Sequence, residues 1–342
     1  MKDLRSALQQ RISNKIKPVG SLGLLEEIAI KVGLIQGRPD PAIVNPCIVL
    51  FAGDHGITAS GLVNPYPAAI TGSMMEHFVN GDATINVLCR QHNIALKVVD
   101  AGVNADLGHL QNTACFIDAR IAPGTRDYRE GPAMTFEETE RAIAIGKHLV
   151  ESIAKSGSNT IGFGEMGIGN SSSAALIMSA ITHEPLEKCT GRGTGANDVQ
   201  LAIKLQTLRQ VMQQHESVVQ LKSPLKTLQY FGGYEIAMMT GAYLAAAENN
   251  MVIVVDGFIS TAALLIAHAV QPSVIDNCIF AHVSGEQGHH RMLHYLKVRP
   301  LLQLGMRLGE GTGAALAIPL IQSALLVLNE LGEMQHPAVT VS

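Results

Sequence analysis

Short apolar runs rich in β-branched side chains recur along the chain, and between them lie stretches whose apolar positions repeat at helical spacing. Strands are expected at 47–52, 94–99, 159–163, 251–255 and 278–283. Being apolar on both sides, they suit the buried strands of a parallel sheet. The clearest helix opens at Thr135, where Glu138 three residues on completes a capping box, and runs towards Ser156. Further helices are expected at 235–248, at 261–270, and at 21–33, the last capped by Ser21 and closed by Gly33. Residues 311–329 carry no charge and approach membrane-spanning length, but Pro319, Gln322 and Ser323 interrupt them. A buried helix is the reading. Alternating strands and helices define an α/β fold.

The turns that close the strands are more informative than the strands themselves. The five runs lead into Gly53-Asp54-His55-Gly56, Asp100-Ala101-Gly102, Gly164-Glu165-Met166-Gly167-Ile168-Gly169-Asn170, Asp256-Gly257 and Ser284-Gly285-Glu286. Each is a turn of small residues with an acid. In open α/β sheets ligands bind beyond the carboxyl ends of the strands, so five such turns point to one cleft.

Composition narrows what that cleft serves. Hydrophobic residues are 47% and charged residues 16% of 342, enough for a large core. A net charge of −4, the lack of a dense Lys/Arg run, and 4% aromatics without Trp argue against nucleic acid as a partner. The five cysteines (Cys47, Cys89, Cys115, Cys189, Cys278) are scattered, odd in number and form no CxxC pair, which suits reduced thiols in a cytoplasmic protein. The start, Met1-Lys2-Asp3-Leu4-Arg5, is not an apolar signal region, and no membrane association is expected.

The richest motif is Arg307-Leu308-Gly309-Glu310-Gly311-Thr312-Gly313, running into the uncharged segment. Glycines at 309, 311 and 313 permit positive φ, and Thr312 reads as a helix N-cap. Arg307 and the helix start would then form an anion site beside a general base, Glu310; the alternative is a helix start with a surface ion pair. Gly162-Phe163-Gly164-Glu165-Met166-Gly167 has dinucleotide-fingerprint spacing, which would suit an oxidoreductase. Glu165, however, would set a carboxylate against a pyrophosphate. A glycine loop holding a catalytic or sugar-binding carboxylate fits better. Asn170-Ser171-Ser172-Ser173 suits a phosphate or ribose at a helix start, or simple capping. Lys204, on the helix after Gly191-Arg192-Gly193-Thr194-Gly195, reads by default as solvated. His282, His289, His290 and His294 read as helix-surface or capping residues, since HExxH and a completing acid or cysteine are missing and no metal is expected.

Taken together these blocks are recognisable. With Lys17-Pro18-Val19-Gly20-Ser21-Leu22-Gly23, Gly232-Gly233-Tyr234-Glu235, Val255-Asp256-Gly257-Phe258 and Ala281-His282-Val283-Ser284-Gly285-Glu286, the chain resembles the nicotinate-nucleotide:dimethylbenzimidazole phosphoribosyltransferase family almost end to end. The resemblance implies a three-layer Rossmann-like, mostly parallel sheet in residues 40–310, and a small helical domain from both chain termini, 1–39 with 311–342. It implies cofactor-free transfer of phosphoribose from nicotinate mononucleotide to a benzimidazole base, with inversion at C1′, by a homodimer. It places the catalytic base on Glu310 and ribose-cation stabilisation on Glu165. Phosphate and ribose contacts fall on Gly167, Gly169, Asn170, Lys204, Ser284, Arg307 and Gly309. Tyr66, Ser73, Met74, Met166 and Leu308 would surround the aromatic base. Ser73-Met74 stands where many relatives have glutamine, and Ala196-Asn197-Asp198 replaces an apolar residue and two acids.

Overall fold

The apolar runs become strands because both faces of each are covered. Along β1 (Cys47–Gly53), Val49 and Phe51 enter one hydrophobic core while Ile48, Leu50 and Ala52 enter a second. The computed structural model describes residues 2–193 and 195–334. The other strands are β2 (Ala95–Gly102), β3 (Phe116–Asp118), β4 (Thr160–Met166), β5 (Val252–Val255) and β6 (Cys278–Phe280). All pair in parallel, in the order β3-β2-β1-β4-β5-β6. The order reverses between β1 and β4, which opens a crevice beyond their carboxyl ends.

The helices, in chain order, are α1 (Lys2–Ser13), α2 (Leu24–Gln36), α3 (Ala69–Asn80), α4 (Thr84–Gln91), α5 (Phe136–Lys155), α6 (Asn170–Thr182) and α7 (Leu186–Cys189). There follow α8 (Asp198–Gln214), α9 (Glu216–Gln220), α10 (Pro224–Phe231), α11 (Tyr234–Glu248), α12 (Phe258–Val270), α13 (His289–Tyr295) and α14 (Thr312–Glu330). Residues of α5, α6, α11 and α12 build the core on one face of the sheet, and those of α1 to α4 and α14 build the other. The result is a three-layer α/β fold. α14 is long and apolar enough to cross a membrane, yet 56% of its apolar window is buried inside the protein. Near the two chain ends, Ile16 N–H donates to Gly332 O at 2.8 Å and Met334 N–H to Asn14 O at 2.9 Å.

The capping box at Thr135 is present as expected, Thr135 Oγ1 and Glu138 each accepting the other's backbone N–H. Other boundaries need correction. The second helix begins at Leu24, not Ser21, because the backbone at Gly23 turns the chain in and no side chain caps it. It runs past Gly33 to a left-handed Gly37; Gly33 sits mid-helix because a Cβ there would lie 2.7 Å from Leu8 of α1. Thr312 is not the cap of α14: its hydroxyl donates to Gly309 O, and Gly311 holds the capping position. β6 ends at Phe280 instead of 283: Ala281 N–H still donates to Val255 O at 2.9 Å, but from His282 on the chain bridges to Leu302. Thr194, and residues 335–342 of the 311–342 segment, lie outside the described residues.

Candidate active site

The crevice between β1 and β4 gathers the motifs. A cleft is lined by Glu165 to Ser171, Gly193, Gly257 to Ile259, His282, Ser284, Glu286, Arg307 to Gly309 and Asn64. Three of the five strand-end turns line it; the Asp54 turn and the Asp100 turn do not. The fingerprint reading fails on register: Gly162 and Gly164 lie inside β4, not in the turn beyond it. Their glycine identity serves packing. A Cβ on Gly164 would sit 2.3 Å from the Glu310 carbonyl, so only glycine lets the 309–311 turn lie against β4.

That turn is left-handed at three successive residues: Gly309 at φ +88°, Glu310 at +63° and Gly311 at +85°. Glycine accepts this without strain, but for Glu310 it costs about 1–2 kcal/mol. Gly313, expected to share the positive φ, is helical, and its missing Cβ leaves room for the His282 ring. Asp256, at the end of β5, accepts from the N–H groups of Gly311 (3.3 Å) and Ala314 (3.0 Å), so a carboxylate from another strand satisfies the start of α14.

Three buried carboxyls therefore meet: Glu165, Asp256 and Glu310. Burial pushes Glu165 up to about 8; the Asn170 side-chain amide, donating to Glu165 Oε2, opposes this, and Asp256, Glu235 and Glu310 add to it. Burial likewise lifts Asp256 to about 7 against its backbone donors. Glu310 is raised by burial, eased by the Ile85 N–H, and its Oε2 has no hydrogen-bond partner. Its own N–H donates to Glu165 O at 3.3 Å. Glu310 does not line the cleft directly but adjoins it through Gly309 and Glu165.

Behind Ser171, and not lining the cleft itself, lies a cation that sequence pattern places in solvent. Lys204 is only 2% exposed. The turns of α8 and α6 bring its Nζ to Ser171 Oγ at 3.0 Å and Gly191 O at 3.3 Å. Burial pulls its pKa down to about 8, Glu286 opposing. Arg307 is exposed at the rim, its guanidinium donating to Gly193 O at 3.3 Å. Ser284 is fixed by an unexpected device. Its N–H donates to His289 Nδ1 at 2.8 Å; His289 Nε2 meets Thr261 Oγ1 at 3.0 Å, and that hydroxyl donates to Gly257 O at 2.7 Å. The network assigns His289 as the neutral Nε2–H tautomer, and burial holds its pKa down to about 3. His282 and His289 are thus buried at the site, not on a helix surface, whereas His290 and His294 are exposed. Among the described residues no group of three or more His, Cys, Asp or Glu is arranged to hold a metal ion.

The residues expected around an aromatic base divide. Met166 and Leu308 line the cleft; Tyr66, Ser73 and Met74 do not. Met74 packs with Met166 against the second core, while Tyr66 and Ser73 are exposed. Leu308 is 53% exposed within this chain. Asp256, His282, Glu286 and Phe258 join the site beyond the expected set. Asp256 and Glu286 carried a signal in the sequence, as acids just after strands, whereas Phe258 and His282 carried none of their own.

Acids able to face a cationic sugar, a buried cation with hydroxyls for a phosphate, and a sheet switch point define a nucleotide-handling α/β enzyme. A family model described as "Phosphoribosyltransferase" matches residues 1–339. A nicotinate-nucleotide–dimethylbenzimidazole phosphoribosyltransferase of Cupriavidus taiwanensis is 47% identical, over 99% of this chain and 96% of its own length. One from Aromatoleum aromaticum is 46% identical, over 98% and 96%. In three dimensions, CobT from Thermus thermophilus superposes with a TM-score of 0.92 at 34% identity, covering 99% of this chain and 100% of that one. The chain belongs to this phosphoribosyltransferase family.

Proposed function

We propose that the chain transfers phosphoribose from nicotinate mononucleotide to 5,6-dimethylbenzimidazole or a related base, giving α-ribazole 5′-phosphate and nicotinate for the cobalamin nucleotide loop. The activities for which the relatives are named support the reaction. The observation that carries the assignment of roles is the buried acid pair: Glu165 partnered, Glu310 with one oxygen free.

In this reading one ring nitrogen of the base attacks C1′ while its N–H proton passes to Glu310, whose raised pKa suits a base working near neutrality. The C1′–N bond to the nicotinate ring breaks with its electron pair going to that nitrogen, so a cationic pyridinium leaves neutral. Positive charge gathers on the ribose ring, and Glu165 faces it. Lys204, Ser284, Arg307 and the backbone of Gly167, Gly169, Asn170 and Gly309 take the 5′-phosphate and ribose. Met166 and Leu308 border the base, and Tyr66, Ser73 and Met74, outside the cleft of this chain, would come to it only from nearby. The reading extends to a cytoplasmic homodimer, which the buried or partly buried free cysteines suit. It also extends to a division into 40–310 and 1–39 with 311–342, which the pairing of 14–16 with 332–334 supports.

The test is incubation with nicotinate mononucleotide and equimolar benzimidazole, methylbenzimidazole, dimethylbenzimidazole, phenol and cresol. Release of nicotinate and α-ribazole phosphate is expected. The three benzimidazoles should fall within about two orders of magnitude in kcat/KM, since a methyl in an apolar pocket is worth about 1–3 kcal/mol. The phenols should be poor, Glu310 being suited to a ring N–H. Preference for a phenol would overturn the pocket assignment, and no transfer to any base the reaction.

A further inference from the structure

The strand-end motif Gly53-Asp54-His55-Gly56 has the look of the other site turns, yet neither its acid nor its histidine lines the cleft. Both are buried directly beneath the turn that carries Glu165. Asp54 accepts the Asn104 N–H at 2.8 Å through one oxygen, and its carboxylate faces the hydroxyl of Thr71, a fully buried residue of α3. The Thr71 hydroxyl accepts the Ile168 N–H at 3.2 Å. His55 runs the other way. Its Nε2 meets Glu235 Oε1 at 2.7 Å, and its Nδ1 meets Ser173 Oγ, in the first turn of α6, at 3.0 Å. His55 O also accepts from Thr58, whose methyl packs so closely on Gly169 that a Cβ there would lie 2.4 Å from it. Further, a Cβ on Gly167 would lie 2.4 Å from Gly53 O, so the two turns are in direct backbone contact.

We propose that Asp54 and His55 are positioning residues for the transfer reaction, holding the Glu165–Asn170 turn from below at two points: Ile168 through Thr71, and the start of α6 through Ser173. Neither touches substrate. A buried backbone N–H and a buried imidazole each need a partner. The partners here fix the turn between β4 and α6, and with it Glu165 and the Asn170 amide that orients it. A misplacement of about 1 Å at a reacting group costs on the order of 10²-fold in rate, which is why such support matters for turnover and not only for folding.

The proposal rests on the transferase reading for its kinetic arm alone. Thr71→Val is nearly isosteric and removes the hydroxyl, both the acceptor for Ile168 and the donor facing Asp54; Thr71→Ser retains it; Ser173→Ala removes the other link. In Thr71→Val and Ser173→Ala we expect kcat to fall roughly 10- to 100-fold with KM for nicotinate mononucleotide within about threefold. Hydrogen exchange of peptides spanning 165–173 should quicken in both, most at Ile168 in Thr71→Val. Thr71→Ser should restore kcat and exchange. Wild-type exchange in Thr71→Val, or a Thr71→Ser variant as impaired as Thr71→Val, would overturn the proposal, as would a loss of kcat that merely tracks the fraction of unfolded protein. Hydrogen exchange needs no turnover, so an inactive wild-type chain would defeat the transferase reading while the exchange comparison still decides this one.

Discussion

Glu165 and Glu310 each follow a glycine, are both buried and are joined through a backbone hydrogen bond, yet they are built oppositely. Glu165 extends from β4 in ordinary strand geometry, and the Asn170 amide holds its Oε2. Glu310 sits at φ +63° on a turn with glycine either side, and its Oε2 has no partner. The Asn170 amide fixes Glu165 in direction and eases, without cancelling, the burial that lifts its pKa to about 8; Glu310, also raised by burial, keeps a free buried oxygen that a proton would satisfy. On the proposed reading the pair separates two tasks, facing a cation and taking a proton, by local backbone and not by residue type.

Breaking Glu310 should have the larger effect. Glu310→Gln should lower kcat by roughly 10²–10⁴-fold, with KM for nicotinate mononucleotide near wild type; turnover within tenfold of wild type in a folded variant would remove its role as base. Glu165→Gln should follow at roughly 10²–10³-fold in kcat. It should cost as much with pre-ionised or more acidic bases as with dimethylbenzimidazole, whereas the Glu310 defect should shrink as the base becomes more acidic. Equal responses of both variants across such a series would erase the distinction between them.

The cationic side of the cleft sharpens the contrast through pH. Lys204→Ala should raise KM for nicotinate mononucleotide roughly 10- to 150-fold, the worth of a charge-assisted phosphate contact of about 1.5–3 kcal/mol. Lys204, lowered to about 8, loses its charge as pH rises through that value, while Glu165, raised to about 8, gains charge over the same range. The kcat/KM profile, which reports the free enzyme, should therefore rise towards a narrow maximum near pH 8 and fall above it. Lys204→Arg stays charged and should flatten the alkaline limb. A limb unmoved by that substitution would assign it to another group.

Five of the six strands were legible because a parallel sheet buries both faces, which writes unbroken apolar runs into the sequence. β3 was not: three residues at a sheet edge leave too little pattern. The Thr135 cap was legible because both partners lie within four residues, whereas α14 is satisfied by Asp256, far away in sequence, and Thr312 only imitated a cap. Lys204 marks the same limit. Nothing on its own helix distinguishes it from a solvated lysine; only the packing of α8 beside Ser171 and Gly191 buries it. What local chemistry dictates, the two acids Glu165 and Glu310 in their glycine turns included, could be read, and what tertiary neighbours supply could not, apart from Lys204, which the resemblance nominated before any contact was in view.

The left-handed backbone at Glu310 sets evolution's two demands against each other. Glycine there would relax the strain and remove a buried carboxyl with a free oxygen, for a net gain of about 1 kcal/mol after the added chain entropy. A library selected only for survival of heating should therefore enrich Glu310→Gly, and that clone should melt about 1–3 °C higher while making almost no product. A Glu310→Gly chain that melts at or below the wild-type temperature would show that the turn stores no such tension. On the reading of Glu310 as the base, durability and turnover then compete at this one residue.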